Sequence, residues 1–378
     1  MFTANIERPT WIDRPEQLRR LAADLVHYPR IGVDTESNSM YVYREQVCLI
    51  QFSTPERDYL VDPLALRDLS PLADFFASEK IEKIFHAAEY DLICLKRDFD
   101  FSFSNIFDTM VAGRVLGWNA LGLAAMLHET FGLVLDKRFQ RANWARRPLT
   151  PEMMAYAQTD THYLIPLRDH LKKTLQEKDR WVLAQEDFRR ECNVSLPNTE
   201  NGGANNCWKV AGNQDLTPEQ IGVLRALCEY REEQARNANL PPFKIMGNKT
   251  LLQIALRMPR SEADLAQVEG MSPRLLQRHG TALMRTIHTG MHEKYSPRPH
   301  NNHRPSEDYL LRLDALRSWR KETGLLLGVS SDVVLPRDTL EVIAQANPQH
   351  LDDLRPLMND MPWRYRRFGK SILRIIHR

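Results

Sequence analysis

The sequence predicts an α/β domain followed by two small all-α domains. In the first half of the chain, short apolar runs that end in turn residues alternate with longer segments of helical character, which is typical of a mixed sheet with helices packed on it. A polar segment rich in Asn and Gly then interrupts this pattern. The pattern of the remaining residues predicts helices, and their sequence contains an internal repeat, which indicates a duplicated helical domain.

Four segments of the first half have the apolar, β-branched character of strands, and the second and third are close enough along the chain to pair as a hairpin. The predicted strands are RIGVDTE (30–36), QVCLIQFS (46–53), DYLVD (58–62) and KIFHA (83–87). The predicted helices cover 89–98, 109–116, 120–131 and 151–175. The last of these begins with Thr150-Pro151-Glu152, a typical helix start.

The second half contains an ungapped internal repeat with an offset of 89 positions. LRALCEYREEQ (224–234) falls on LDALRSWRKET (313–323), and the match continues in pairs such as Leu251/Leu340 and Gly280/Gly369. Chance would give only about one match in fifteen to twenty positions. We therefore expect domains at 1–195, 213–292 and 307–378, joined by linkers at 196–212 and 293–306.

Composition excludes several classes of protein. Hydrophobic residues at 43% and charged residues at 26% are the proportions of a globular protein, and no apolar run approaches the roughly 20 residues of a membrane span. The N-terminal residues lack the order of a signal peptide, so we expect a cytoplasmic protein. Five scattered cysteines, an odd number, predict thiols rather than disulfides or a zinc site. Nothing in the sequence indicates an obligatory protein partner.

Charge is divided unevenly along the chain. Residues 1–195 carry about 25 Lys/Arg against 29 Asp/Glu and the remainder about 26 against 20, so the two parts have net charges of roughly −4 and +6. This division is compatible with a cation site in the first part and an anion-binding region in the second.

Two carboxylates, Asp34 and Glu36, stand at the end of the first predicted strand in the segment IGVDTES (31–37). Because strand side chains alternate between faces, both point the same way. Two charges about 5 Å apart repel by roughly 3 kcal/mol at an effective dielectric near 20. Either a positive group lies beside them, or Asp34 caps a turn and Glu36 is solvated.

Two later segments add acidic groups that the same sheet edge could gather. Asp91 lies in the first turn of the helix after KIFHA, where it could simply favour the helix dipole. Tyr156 and Asp160, four residues apart on a helix, share one face and could be an ordinary surface pair. Taken together with Asp34 and Glu36, these groups give four carboxylates and a phenol, and such oxygen ligands suit Mg²⁺ or Mn²⁺ rather than zinc.

The ordered set VDTE, HAAEYD and YAQTD resembles the three motifs of the DEDD superfamily of 3′–5′ exonucleases, in the branch with tyrosine in the third motif. The sister branch has a histidine five residues before the last aspartate, where this chain has Ala155. The two repeats resemble helicase-and-RNase-D C-terminal (HRDC) domains, and the whole arrangement is similar to that of the ribonuclease D family. One departure is Ser37, where a bulky apolar residue commonly follows the glutamate.

The resemblance implies a ribonuclease-H-like exonuclease domain that holds two divalent cations, Mg²⁺ or Mn²⁺. It implies that Asp34 bridges both ions, that Glu36 and Asp160 complete the first, that Asp91 supports the second, and that Tyr156 orients the attacking water. The implied reaction is 3′-to-5′ hydrolysis of RNA to 5′-mononucleotides, with tRNA precursors as substrates. A DNA exonuclease and a catalytically silent RNA-binding protein on the same scaffold remain alternatives.

The sequence allows two interpretations for most of the remaining candidate residues. Asp108 is interpreted as an N-cap, and His86 either touches substrate or is a packed, hydrogen-bonded side chain. The basic stretch 136–150 either stacks a base on Trp144 or is a loop that Trp144 anchors. Clustered cations in the two repeats are either solvated or contact the RNA backbone; the candidates are Arg274, Arg278, Arg364, Arg366, Arg367 and Lys370.

Overall fold

The computed structural model describes residues 6–196, 206–212, 214–292 and 306–377. Its sheet has six strands in the order β1-β4-β3-β2-β5-β6. The strands are β1 (Thr10–Ile12), β2 (Arg30–Ser37), β3 (Val47–Ser53), β4 (Asp58–Val61), β5 (Glu82–Phe85) and β6 (Ile106–Asp108). Strand β3 runs antiparallel to β2 and β4, whereas the pairs β1/β4, β2/β5 and β5/β6 are parallel. The prediction of a mixed sheet is therefore confirmed.

Eight α-helices accompany the sheet in residues 6–196. They are α1 (Pro15–Leu25), α2 (Ala73–Ala77), α3 (Glu89–Phe99), α4 (Thr109–Leu116), α5 (Leu123–Phe131), α6 (Pro151–His162), α7 (Leu164–Glu177) and α8 (Trp181–Glu191), and a 3₁₀ turn covers Ser70–Leu72. The four predicted strands and the hairpin of β3 with β4 are confirmed. The predicted helix 151–175 is two helices, because the chain leaves helical geometry at Tyr163.

The internal repeat is confirmed in its helix boundaries. The first copy contains α10 (Pro218–Asn237), α11 (Pro242–Ile245), α12 (Asn248–Arg257), α13 (Glu262–Ala266) and α14 (Pro273–His292), after α9 (Asn206–Ala211). The second contains α15 (Glu307–Leu327), α16 (Ser331–Val334), α17 (Arg337–Ala346), α18 (Leu351–Leu354), a 3₁₀ turn at Pro356–Met358, and α19 (Pro362–Ile376). Each helix of the second copy starts 89 positions after its counterpart, which is the offset of the sequence repeat.

Helix α9 lies inside the segment 196–212, which was expected to be a linker. Cys207, Val210 and Ala211 of this helix are buried in the apolar core that α10, α12 and α14 form. Six residues are too few for the periodicity that identifies a helix in sequence, whereas three apolar contacts suffice to hold them in the fold. Residues 197–205 and 213, and residues 293–305 of the second predicted linker, lie outside the described part of the chain.

The described residues form two compact units. The first contains 6–37, 46–196 and the second helical repeat, and the second contains the first helical repeat with the segment 38–45. Within the second unit, Tyr43 Oη donates a 2.5 Å hydrogen bond to Glu232, and the Lys244 ammonium lies 4.4 Å from the centre of the Tyr41 ring. The described residues include all five cysteines, and none of these forms a disulfide.

A buried ion pair joins α19 to α8 within the first unit. The Arg364 side chain has no exposed surface; it donates to Glu186 Oε2 at 3.1 Å, to Asp187 Oδ2 at 2.9 Å and to the Val333 carbonyl at 2.8 Å. A guanidinium buried in this way cannot reach a phosphate. The prediction that Arg364 contacts RNA is therefore wrong, and the residue instead holds the second repeat against the α/β domain.

Candidate active site

Asp34 and Glu36 lie on β2 and face helix α6. Across the antiparallel pairing they stand opposite Gln51 and Leu49 of β3. Leu49 belongs to the apolar cluster that contains Tyr156 and Ala157 of α6. Cross-strand partners share a face of the sheet, so both carboxylates lie on the side of the sheet that α6 covers.

Helix α6 begins at a well-formed N-terminus and packs closely on β2. The Thr150 hydroxyl accepts a 3.2 Å hydrogen bond from the amide of Met153, and Pro151 fills the first helical position. A Cβ at Gly32 would lie 2.8 Å from the Thr161 carbonyl oxygen. The glycine therefore allows α6 to approach the strand that carries Asp34, and this brings Asp160 beside it.

Tyr156 occupies the same face of α6 as Asp160 and is 8% exposed. Its ring centre lies 5.9 Å from that of Trp144 and 5.8 Å from that of Phe139. Trp144 itself is 1% exposed, so it anchors the stretch 136–150 and has no free face on which a base could stack. Of the two interpretations of residues 136–150, the structure supports the one in which Trp144 anchors a loop.

Asp91 approaches β2 from the opposite face of the sheet. Its carboxylate, 7% exposed, accepts a short hydrogen bond from the hydroxyl of Thr35. Thr35 stands between Asp34 and Glu36, and its cross-strand partner Ile50 faces the core that contains α1 and α3. Because alternate strand residues point to opposite faces, Thr35 holds Asp91 across the strand from the other two carboxylates.

Asp108 fixes the start of α3 as well as that of α4. As predicted, it is an N-cap, and its carboxylate accepts from the amides of Met110 and Val111 at 2.7 and 3.1 Å. It also accepts from the amides of Ala87 and Ala88 at 3.1 and 2.6 Å. Ala87 has a φ of +61°, and these bonds hold that turn in place. The fully buried Asp108 therefore sets the position of the helix that carries Asp91.

His86, which precedes this turn, is hydrogen-bonded within the fold. Its Nδ1 lies 2.9 Å from the Thr109 hydroxyl, which in turn donates to the Phe85 carbonyl at 3.1 Å. The structure supports the reading of His86 as a packed side chain.

Burial raises the pKa of every carboxyl group in the set, and repulsion from neighbouring carboxylates adds to the effect for Asp34, Glu36 and Asp91. For Asp34, burial is the main cause and the charge of Asp160 is the second. Burial likewise raises the pKa of Asp91 and Glu36, whose other neighbours in the set add to the effect. Burial raises the pKa of Asp160 to about 7. The pKa of the Tyr156 phenol lies above its usual range because of burial and the nearby negative charges.

The side chains are not arranged as a chelating cluster. In the part of the chain that the structure describes, no three His, Cys, Asp or Glu groups are placed so that they could hold one metal ion. The bond from Thr35 to Asp91 provides a physical reason, because it holds one carboxylate on the far side of β2. Repulsion among like charges provides another. The donor set is nevertheless chemically suited to hard divalent cations, since all four groups are carboxylates and such ions prefer oxygen ligands.

A second polar network lies on the same face of the sheet, and no functional role was predicted for its residues from the sequence. Asp58 accepts hydrogen bonds from Ser53 at 2.5 Å and from Gln158 at 2.6 Å, and its Oδ2 lies 2.8 Å from His162 Nδ1. Ser53 Oγ also lies 2.6 Å from Thr161 Oγ1. The network ties the end of α6 to β3 and β4 and so helps to fix the helix that carries Tyr156 and Asp160. The alternation of polar residues Gln51 and Ser53 in β3 was the available sequence signal.

The predicted RNA-contacting cations other than Arg364 are exposed. Arg274 and Arg278 lie one turn apart on α14, and Arg366 and Lys370 lie one turn apart on α19, with Arg367 beside them. Arg147 of the basic stretch 136–150 instead makes a structural contact: its guanidinium donates to the Asp62 carboxylate at 2.6 Å and to the Cys48 carbonyl at 2.7 Å.

Comparisons with known proteins agree with this architecture. Residues 9–176 match the family of 3′–5′ exonucleases, and residues 220–287 and 310–376 each match the HRDC domain. Ribonuclease D of Pseudomonas paraeruginosa is 28% identical over 373 residues, which covers 96% of both chains. The catalytic core of RRP6 from Trypanosoma brucei is 28% identical, with a TM-score of 0.63 over 76% of this chain and 81% of that one. The RNase D structure from Escherichia coli, 24% identical with a TM-score of 0.68 over 98% of both chains, shows the same fold.

Proposed function

The chain belongs to the ribonuclease D family of 3′–5′ exoribonucleases, and we propose that it trims the 3′ ends of structured RNAs, including tRNA precursors, and releases 5′-mononucleotides. The observation that carries this proposal is the position of Asp34, Glu36, Asp160 and Tyr156 on one face of the sheet, with Asp91 reaching the same strand from the other face.

No helix in the described residues is long and apolar enough to cross a membrane. A cytoplasmic location agrees with the cysteines, which form no disulfide.

Two divalent cations, Mg²⁺ or Mn²⁺, suit this donor set, with Asp34, Glu36, Asp91 and Asp160 as the residues that would hold them. When bound, such ions lower the pKa of an attacking water and neutralise charge that develops on the leaving oxygen. The raised pKa values of the carboxyl groups have the same origin as this affinity. The positive charge of a cation would offset both the cost of burying a carboxylate and the repulsion between carboxylates. A bound cation would therefore favour the ionised, ligating form of each group.

Tyr156 contributes as a phenol rather than as a base. Because burial and neighbouring carboxylates raise its pKa, the hydroxyl keeps its proton at neutral pH. It can then hold a water by hydrogen bonding, and its ring contacts with Trp144 and Phe139 restrict its position. Tyr156 is therefore assigned to orienting the attacking water.

The function is tested with paired RNA and DNA oligonucleotides in the presence of Mn²⁺, each with a free or a blocked 3′ end. We expect the RNA with a free 3′ end to shorten one nucleotide at a time and to release 5′-mononucleotides, and the blocked RNA to persist. Preferential degradation of DNA would instead identify a DNA exonuclease. Binding of RNA without shortening would identify a silent RNA-binding protein. A tRNA precursor with a 3′ extension tests the proposed substrate class.

We further propose that exposed cations of the two repeats contact the RNA backbone. On α19 the apolar side chains of Phe368 and Ile372 face the core, which leaves Arg366, Arg367 and Lys370 on the outside. Arg274 and Arg278 occupy a similar outward position on α14 of the first repeat. Phosphate contacts of this kind supply affinity that depends on salt.

The triple variant Arg366→Gln, Arg367→Gln, Lys370→Gln is expected to bind RNA more weakly and with a shallower salt dependence. Loss of three phosphate contacts lowers the slope of log K against log salt by about 2 for single-stranded RNA. Fluorescence anisotropy in 50–300 mM salt, about the range in which such slopes are measured, gives this value. The charge-matched control is Arg19→Gln, Arg20→Gln, Lys80→Gln, which removes three exposed cations of the α/β domain. An equal slope in both triple variants would show that another surface holds the RNA.

A further inference from the structure

Gln51, in the middle of β3, is a buried polar residue without an evident structural role. It has no exposed surface, and neither Oε1 nor Nε2 of its side chain has a hydrogen-bond partner among the described residues. Its main chain is already engaged in the sheet, between Asp34 of β2 and Leu60 of β4. The side-chain amide is therefore the unexplained part of the residue.

The position of this amide is defined by its neighbours along and across the sheet. Ser53, two residues along β3, contacts Thr161 of α6 through its hydroxyl. Asp34 is the direct cross-strand partner of Gln51. Because alternate residues share a face and cross-strand partners are adjacent, the Gln51 side chain lies under α6 and beside Asp34.

A purely structural role does not explain why this position carries an amide. An unpaired buried amide destabilises a fold, and an apolar side chain of the same shape would avoid that penalty. Residues that break a rule of stable packing are concentrated at functional sites. A donor beside a carboxylate that must ionise has such a use, since hydrogen-bonded partners outside the ligand set orient the groups that hold a metal ion.

We propose that Gln51 is a positioning residue of the active site: its Nε2–H donates a hydrogen bond to the carboxylate of Asp34 and sets the orientation in which Asp34 receives a cation. The terminal torsion of a glutamine is soft, so the amide can turn toward this neighbour at little cost. The neutral amide can donate without adding charge, whereas a cationic donor would compete with the ions. The inference rests on the proposed metal-dependent hydrolysis.

The test is the near-isosteric variant Gln51→Met, which removes the amide and keeps the volume. Its apparent dissociation constant for Mn²⁺, measured by titration calorimetry without RNA, is expected to rise about 10- to 100-fold, and kcat to fall by a similar factor while KM changes little. Its thermal unfolding midpoint in EDTA is expected to equal or exceed that of the unaltered chain. The control variant Gln140→Met, at an exposed loop position, leaves all three quantities unchanged.

A lower unfolding midpoint combined with unaltered Mn²⁺ affinity would overturn the proposal, because it would show that the amide supports the fold through a bridging water. Unaltered affinity with an unaltered midpoint would overturn it as well. Failure of the proposed function is recognised separately, since in that case the unaltered chain itself would neither bind Mn²⁺ nor shorten RNA.

Discussion

Asp34→Asn is expected to lower the rate of RNA hydrolysis by about 1,000-fold or more while leaving the fold intact. The substitution keeps the shape of the side chain and removes a negative charge from the proposed cation site. Stabilisation by bound cations is worth several kcal/mol in such reactions, and each 1.4 kcal/mol corresponds to a factor of ten. Single-turnover degradation of an RNA oligonucleotide with saturating Mn²⁺ measures the loss. Asp160→Asn should give a similar result.

The control for these variants is Asp74→Asn, which makes the same chemical change at an exposed position of α2. It should retain full activity. Circular dichroism and thermal unfolding establish that each variant is folded, and neutralising a buried carboxylate that repels its neighbours should not destabilise the protein. Activity close to that of the unaltered chain in either Asp34→Asn or Asp160→Asn would rule out the proposed mechanism.

The features that could be predicted from the sequence are those that repeat or alternate. Strand β2 combines apolar Ile31 and Val33 on one face with Asp34 and Glu36 toward its end, and the structure keeps that alternation. The duplicated helices could be predicted because an offset of 89 positions holds over many residues. Strands β1 and β6 have three residues each. Sequence patterns are uninformative at this length, and only pairing with β4 and β5 defines these strands.

The features that could not be predicted depend on contacts between distant residues. Arg364 has the sequence context of an exposed basic cluster, and only the packing of α19 on α8 shows that Glu186 neutralises it. The bond from Thr35 to Asp91 joins residues 56 positions apart and places one carboxylate on the far side of the strand. Gln51 looks like an ordinary residue of an apolar strand in the sequence, whereas in the structure its buried amide has no hydrogen-bond partner among the described residues. Sequence motifs therefore predict the acidic residues of the proposed site but not the groups that position them.

The raised pKa values predict that, with EDTA present, the free energy of unfolding decreases as the pH rises through the window from about 4 to about 7. A buried carboxyl group with a raised pKa is still protonated in the folded chain when the unfolded chain has already lost its proton. Within that window the folded state binds more protons, so each increase in pH favours unfolding. For Asp160 the pKa changes from 3.8 to about 7. The full shift corresponds to about 4 kcal/mol, and partial exposure of the side chain reduces this to about 3 kcal/mol.

Urea unfolding between pH 4 and pH 8 measures this effect, and Asp160→Asn isolates one contribution. The variant should lose less stability over the window and should be more stable than the unaltered chain at pH 8 in EDTA, whereas Asp74→Asn should follow the unaltered chain. Mn²⁺ at about 100 times its dissociation constant should restore about 2.7 kcal/mol to the unaltered chain at pH 8. Identical pH profiles for the unaltered chain and Asp160→Asn would contradict the prediction. In that case the cost of burying the Asp160 charge would account neither for a lower stability without cations nor for an affinity for them.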